Sequence, residues 1–243
     1  MPPVIWTARQ MKQCQNCFKP GSKEVSLKCC AKCKRAHYCC RECQKADWEF
    51  HKERCNTHTE SLAQMKSDPI VFSAALQGLM KAETEAIMHR WVKQYRSLLF
   101  VSAINALELH THPERALTHV LFIELSPTFT AEKIPKAARD LRLAFKLVSI
   151  NICPLDDLFE FFSPAEQAQL TSLKTEIVAR TNTLRSQDTN ALGFALAAVT
   201  LPECDCRRLV PMGTDMSPAD VKALRDPTWR RSLETRIARG QPL

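Results

Sequence analysis

The chain of 243 residues carries 34 Lys and Arg against 26 Asp and Glu, a formal charge of +8, and 45% of its residues are hydrophobic. That is the balance of a globular protein of one or two domains, and it excludes a disordered or collagen-like chain. Nine of the twelve cysteines fall in the first 55 residues, which argues against a disulfide-stapled secreted protein and for a reduced intracellular chain whose clustered thiols bind metal.

The charge is uneven. Residues 1–60 hold 12 Lys and Arg and 6 Asp and Glu. Thiolate ligation around two zinc ions lowers that excess, so nucleic acid is not the expected partner. The start of the chain has no apolar signal core, and the longest mostly apolar uncharged run, residues 191–201, is about half the length that crosses a bilayer. No membrane association is expected, and the location is nucleus or cytoplasm. With only five glycines, no Gly-x-Gly-x-x-Gly or Gly-Lys-Ser/Thr phosphate loop occurs.

In chain order, residues 1–13 read as a tail that holds Pro2-Pro3-Val4-Ile5. Two Cys-x-x-Cys knuckles follow, Cys14/Cys17 and Cys30/Cys33, then Cys39-x3-Cys43 and His51-x3-Cys55. Residues 56–68 are polar and read as a linker, with Asp68-Pro69 as a helix start. From 69 to 243 the pattern is α+β. Leu76, Met80, Ile87, Trp91, Tyr95, Leu98 and Leu99 form a helical stripe that continues through Leu107. Residues 118–125 and 141–152 read as strands, and 155–162 and 164–185 return to helical spacing, with Ser163-Pro164 as cap and first turn. Residues 192–201 and 208–211 read as two further strands joined at 202–205, and Ser217-Pro218 opens a last helical region to Arg239. The expected fold is a small antiparallel sheet with helices packed on it.

The head carries the chemistry. Zinc takes four thiolate or imidazole ligands in a tetrahedron. Each Cys-x-x-Cys turn supplies two from one bend, and each i,i+4 pair presents two from one helical face. Four pairs make eight ligands and two closed sites, which leave no open position for substrate, so the metal is structural. Cys29-x3-Cys33 is sterically conceivable, but the knuckle spacing favours Cys30. Cys40 and His37 read as a spare thiol and a basic-loop residue.

Cys14, Cys17, Cys30, Cys33, Tyr38-Cys39, Cys43-Gln44, Asp47-Trp48, His51-Lys52 and Cys55 together resemble the MYND zinc finger. The first gap, between Cys17 and Cys30, is longer than the commonest form. The resemblance implies interleaved sites: Cys14, Cys17, Cys39 and Cys43 on one zinc, and Cys30, Cys33, His51 and Cys55 on the other. It also implies that the finger recognises short proline-containing peptides through Gln44 and Trp48. A tryptophan face suits a proline ring, and Gln44 lies four residues before Trp48 on one helical face. Trp48 as the hydrophobic plug of a tiny domain is the alternative. The tail segment Pro2-Pro3-Val4-Ile5 itself has the form of such a peptide. More loosely, the body resembles uncharacterised fungal MYND-finger proteins, which bring no activity with them.

The expected function is a protein–protein interaction module, in an adaptor or in corepressor recruitment. The runner-up is a nucleic-acid-associated regulator using Lys28, Lys32, Lys34, Arg35 and Arg41. A third is an enzyme in the body with no recognisable motif. Some MYND fingers sit inside SET-domain lysine methyltransferases. Here 13 residues precede Cys14, no Asn-His-Ser-Cys-like segment occurs and the glycines of the body stand alone. The chain is therefore expected to be no enzyme, and chelation is expected to unfold the head and leave the body folded.

Overall fold

The computed structural model describes residues 13–17, 19, 21–22, 24–71, 73–161, 164–187, 191–214 and 216–243. The head opens with a minimal ladder, β1 (Lys28–Cys29) paired antiparallel with β2 (His37–Tyr38). Helix α1 (Arg41–Ala46) starts where the Cys40 sulfur accepts from the Cys43 amide, and Glu42 sits favourably in its first turn. Helix α2 (Trp48–Met65) follows after Asp47. It carries His51 and Cys55 and then runs on through residues 56–65, read above as a linker. No Gly or Pro interrupts those residues before Pro69, so nothing stops the helix there. Pro69 pairs with Met80 in an isolated antiparallel bridge instead of opening a helix.

Helix α3 (Lys81–Ala106) is the central column. Its start is fixed by the Met80 amide donating to the Glu83 carboxylate at 2.9 Å. Trp91 stacks on Tyr95 at 4.4 Å and meets Phe145 edge-on at 5.8 Å, all three buried. After the short helix α4 (Arg115–Thr118) the chain forms β3 (His119–Pro127), α5 (Ala138–Arg142), β4 (Phe145–Pro154), a 3-10 turn (Asp156–Phe161) and α6 (Pro164–Gln187). Ser163, the expected cap of α6, lies outside the described residues. Strands β5 (Gly193–Leu201) and β6 (Cys206–Thr214) complete the sheet, and α7 (Pro218–Lys222) and α8 (Trp229–Ala238) close the chain. The last helical region is thus two helices, parted at Asp226-Pro227.

The sheet order is β4-β3-β5-β6. Its outer pairs are antiparallel and the central pair, β3 with β5, is parallel, so the sheet is mixed. Every residue of β5 is buried because helices cover both faces. Ala195, Ala197, Val199 and Leu201 join the core built around α3 and α8. Phe194, Leu196 and Ala198 point the other way, into a second core with Leu170 and Ile177 of α6. The period of two therefore divides one strand between two cores.

The head is docked on this body through ion pairs. Asp47 accepts from Arg180 of α6, Arg54 pairs with Glu176 at 2.6 Å, and Glu85 of α3 accepts from both Arg35 (2.5 Å) and Arg208 (2.6 Å). Asp47 and Glu176 are 2% and 5% exposed, so these are pairs of a packed junction rather than of a wet surface. No helix among the described residues is long and apolar enough to cross a membrane.

Candidate functional site

The eight ligands are brought to place by four local devices: a turn at residues 15–17, the bend after β1, the approach of β2 to α1, and the first two turns of α2. The sulfurs of Cys14, Cys17, Cys39 and Cys43 lie within 4.8 Å of one another. A second group joins Cys30, Cys33, His51 and Cys55 on the same criterion, and all four are buried.

The spacings suit zinc. A Zn–S bond of about 2.3 Å in a tetrahedron separates two sulfurs by about 3.8 Å. Cys17 and Cys39 stand 3.5 Å apart, Cys39 and Cys43 3.6 Å, and Cys30 and Cys55 3.9 Å. His51 turns Nε2 to Cys33 at 3.5 Å, where the shorter Zn–N bond closes the distance. Two structural zinc ions fit these groups, one of four cysteines and one of three cysteines with a histidine. The histidine-containing set includes Cys30, while Cys29 is exposed on β1. Cys40 serves as the cap of α1.

The electrostatics point the same way. Burial, and then the Arg54 charge, hold the His51 imidazole below its usual value, in the neutral form that ligates. Without metal, burial pushes the Cys43 and Cys55 thiols up to about 12. Burial raises Cys14 too, but the backbone amides of Cys17, Cys39 and Asn16 outweigh it and bring that thiol to about 7. Four thiolates do not crowd together unaided, and a divalent cation removes the conflict.

Tyr38 and Asp47 brace the centres. The Tyr38 hydroxyl donates to Asp47 Oδ2 at 2.6 Å while Oδ1 accepts from Arg180. Burial, and then Asp47, push the Tyr38 hydroxyl above its ordinary range. Sequence reasoning named Asp47 in the motif but missed this role, because its partner is 133 residues away. Arg35 was placed in a basic surface run. It turns inward instead and spans Glu85, His58 (3.0 Å) and His89 (2.6 Å). Lys32 donates to Asn56 at 2.6 Å, and Lys28, Lys34 and Arg41 remain exposed.

Trp48 is 41% exposed, with its ring edge-on to His51 at 6.0 Å. It borders a shallow depression of about 350 Å³ together with Arg41, Gln44 and Lys45. Pro2-Pro3-Val4-Ile5 lies outside the described residues. In the body, His110, His112 and His119 form no metal-ligand group among the described residues, where only the two groups of the head occur.

Residues 14–55 match the MYND finger family, and a MYND finger is a zinc-binding protein–protein interaction module. The chain is 43% identical over 49 residues to SET domain and MYND-type zinc finger protein 6 of Schizosaccharomyces pombe, covering 20% of this chain and 10% of that protein. It is 34% identical over 83 residues to N-lysine methyltransferase SMYD2-B of Xenopus laevis, covering 34% and 19%. With SET domain-containing protein 14 of Caenorhabditis elegans it shares 42% identity over 133 residues, or 46% of this chain and 29% of that protein. The chain therefore spans about a tenth to three tenths of the length of these relatives. No solved structure matches. These relatives correct the expectation that the chain is no enzyme, since they are named as methyltransferases and SET domain proteins.

Proposed function

We propose that the finger holds a short proline-containing segment of a partner protein against Trp48 and Gln44. The observation that carries this is the exposed Trp48 face beside Gln44, on a surface that the zinc centre supports from beneath. A proline segment is already extended and loses little entropy on docking. Arg41 and Lys45 border the same depression, so segments with acidic flanks bind best. In this reading residues 14–55 are the finger, 69–243 the body, and the segment 56–68 joins them, its residues 56–65 as a continuation of α2. Recruitment of this kind suits an adaptor or a corepressor in the nucleus or cytoplasm.

The test is Trp48→Ala, measured by calorimetry against a proline-containing peptide with acidic flanks. Retention of two zinc ions with at least about tenfold weaker binding supports the reading. Unchanged affinity in the zinc-loaded variant rejects it.

A second reading is a part in protein-lysine methylation. It is favoured by alignments of 83 and 133 residues, longer than the finger at 14–55, with proteins so named. Radiolabelled methyl transfer from S-adenosylmethionine to lysine peptides is its expected signature. Neither transfer nor binding of that donor by the full chain would count against it.

A further inference from the structure

Between the finger and the body lies a cavity of about 270 Å³ whose walls are cationic and whose floor is apolar. Arg35 and Arg54 reach it from the finger, Lys93 and Arg96 from α3, and Arg208 from β6. Val92, Val210 and Pro211 form the floor, and no carboxylate lines it. His89, Val92, Lys93 and Arg96 follow helical spacing, so one face of α3 is dedicated to this wall.

The charges do not balance. Glu85, behind the wall, takes both Arg35 and Arg208, and Glu176 takes Arg54. Lys93 and Arg96 have no carboxylate among the described residues, and Arg96 donates only to the Pro211 carbonyl at 2.7 Å. Five cations thus face two carboxylates, an excess of three. Cys33 and His51 also line the cavity, and the centre they form with Cys30 and Cys55, with three thiolates on one Zn²⁺, takes back one charge. The field is felt by His89, which burial and then the Arg35 and Lys93 charges hold down at about 3.

We propose that this cleft binds a small phosphate monoester. Guanidinium groups converge on it from three separate elements. One carboxylate saturates a single arginine fork, whereas a phosphate monoester offers three oxygens and nearly two charges to several donors at once. A neighbouring cavity of about 440 Å³ shares Arg35, Arg54, His58 and Arg208 as a common wall. It gives the organic part of such a ligand a place beside its phosphate. The site is separate from the Trp48 depression and does not depend on the peptide reading.

The test is calorimetry of the zinc-loaded full chain with adenosine 5′-monophosphate, inorganic phosphate and adenosine. The nucleotide is expected to bind in the millimolar range or tighter, inorganic phosphate more weakly, and adenosine not measurably. Arg96→Gln is expected to weaken nucleotide binding at least tenfold and Lys93→Gln severalfold, each variant keeping two zinc ions. Lys93 is exposed, so its variant decides the matter should Arg96→Gln fail to fold. Equal binding of adenosine and its monophosphate, no binding of either, or affinity unchanged in the folded variants would overturn the proposal.

Discussion

At the scale of single residues, the least replaceable side chain that does not touch metal is Asp47. It is 2% exposed and answers both Tyr38 and Arg180. Asp47→Ala leaves the buried Tyr38 hydroxyl without its acceptor and removes one carboxylate from the Arg180 guanidinium, which keeps Glu176 at 2.6 Å, and the expected cost is about 2–4 kcal/mol by urea unfolding. A loss below about 1 kcal/mol would mean the junction is wetter than described. His89 supplies a pH signature. Its value in the folded chain, about 3, lies below the unfolded value near 6.5. The unfolded chain therefore takes up a proton that the folded chain refuses. Stability is whole above about pH 6.5 and falls as pH drops toward 3, by about 1 kcal/mol per unit from this group. His58 is shifted the same way, by burial first and Arg35 second. His89→Leu should flatten the slope of stability between pH 6 and 4, and an unchanged slope would assign it elsewhere. The ligands were legible because ligand spacing is a local property of the chain. Arg35 and Asp47 were misplaced or underread because their partners lie 50 and 133 residues away, a distance that no pattern of spacing records.

At the scale of elements, strands β3 and β5 and helices α3 and α6 were legible from apolar runs and helical stripes. What remained hidden followed from packing. Residues 56–65 are polar as a linker should be, yet they extend α2, since nothing breaks the helix and its first turns are anchored by His51 and Cys55. Strand β6 runs from Cys206 to Thr214 although Pro211 and the charged Arg207 and Arg208 obscure its pattern. It is an edge strand, where both are tolerated. The parallel β3–β5 pair was not legible, because register between distant strands is set by the crossover through α6 and not by either strand alone. One position at the start of β5 has a single solution. Gly193 has a φ of +92°, and a Cβ there would stand 2.5 Å from Thr181 Oγ1 of α6. Gly193→Ala is expected to cost about 2–4 kcal/mol in thermal or urea unfolding. A neutral result would show that β5 and α6 are free to part.

At the scale of the molecule, the finger is braced rather than tethered. The 42 residues from 14 to 55 bury too little apolar surface to fold unaided, so their folding energy comes from metal. The same segment presents Asp47, Arg54 and Arg35 to the body. Chelation is thus expected to unfold the finger and also to lower the melting temperature of the body, where Arg180 loses Asp47, Glu176 loses Arg54 and Glu85 loses Arg35, leaving the Arg180–Glu176 and Arg208–Glu85 pairs. This replaces the expectation of an indifferent body. A body transition unmoved by chelator would show that the ion pairs contribute nothing. Acid should act as chelator does. Zinc must displace protons from thiols that stand at about 12 in its absence, so its affinity falls as pH falls.

The most direct test of the account is the metal count by native mass spectrometry of the full chain, isolated without chelator. Two zinc ions per chain are expected, with Cys29 open to alkylation and the eight ligands protected. One ion or none, with the thiols of Cys14, Cys30, Cys39 and Cys55 freely alkylated, would contradict it.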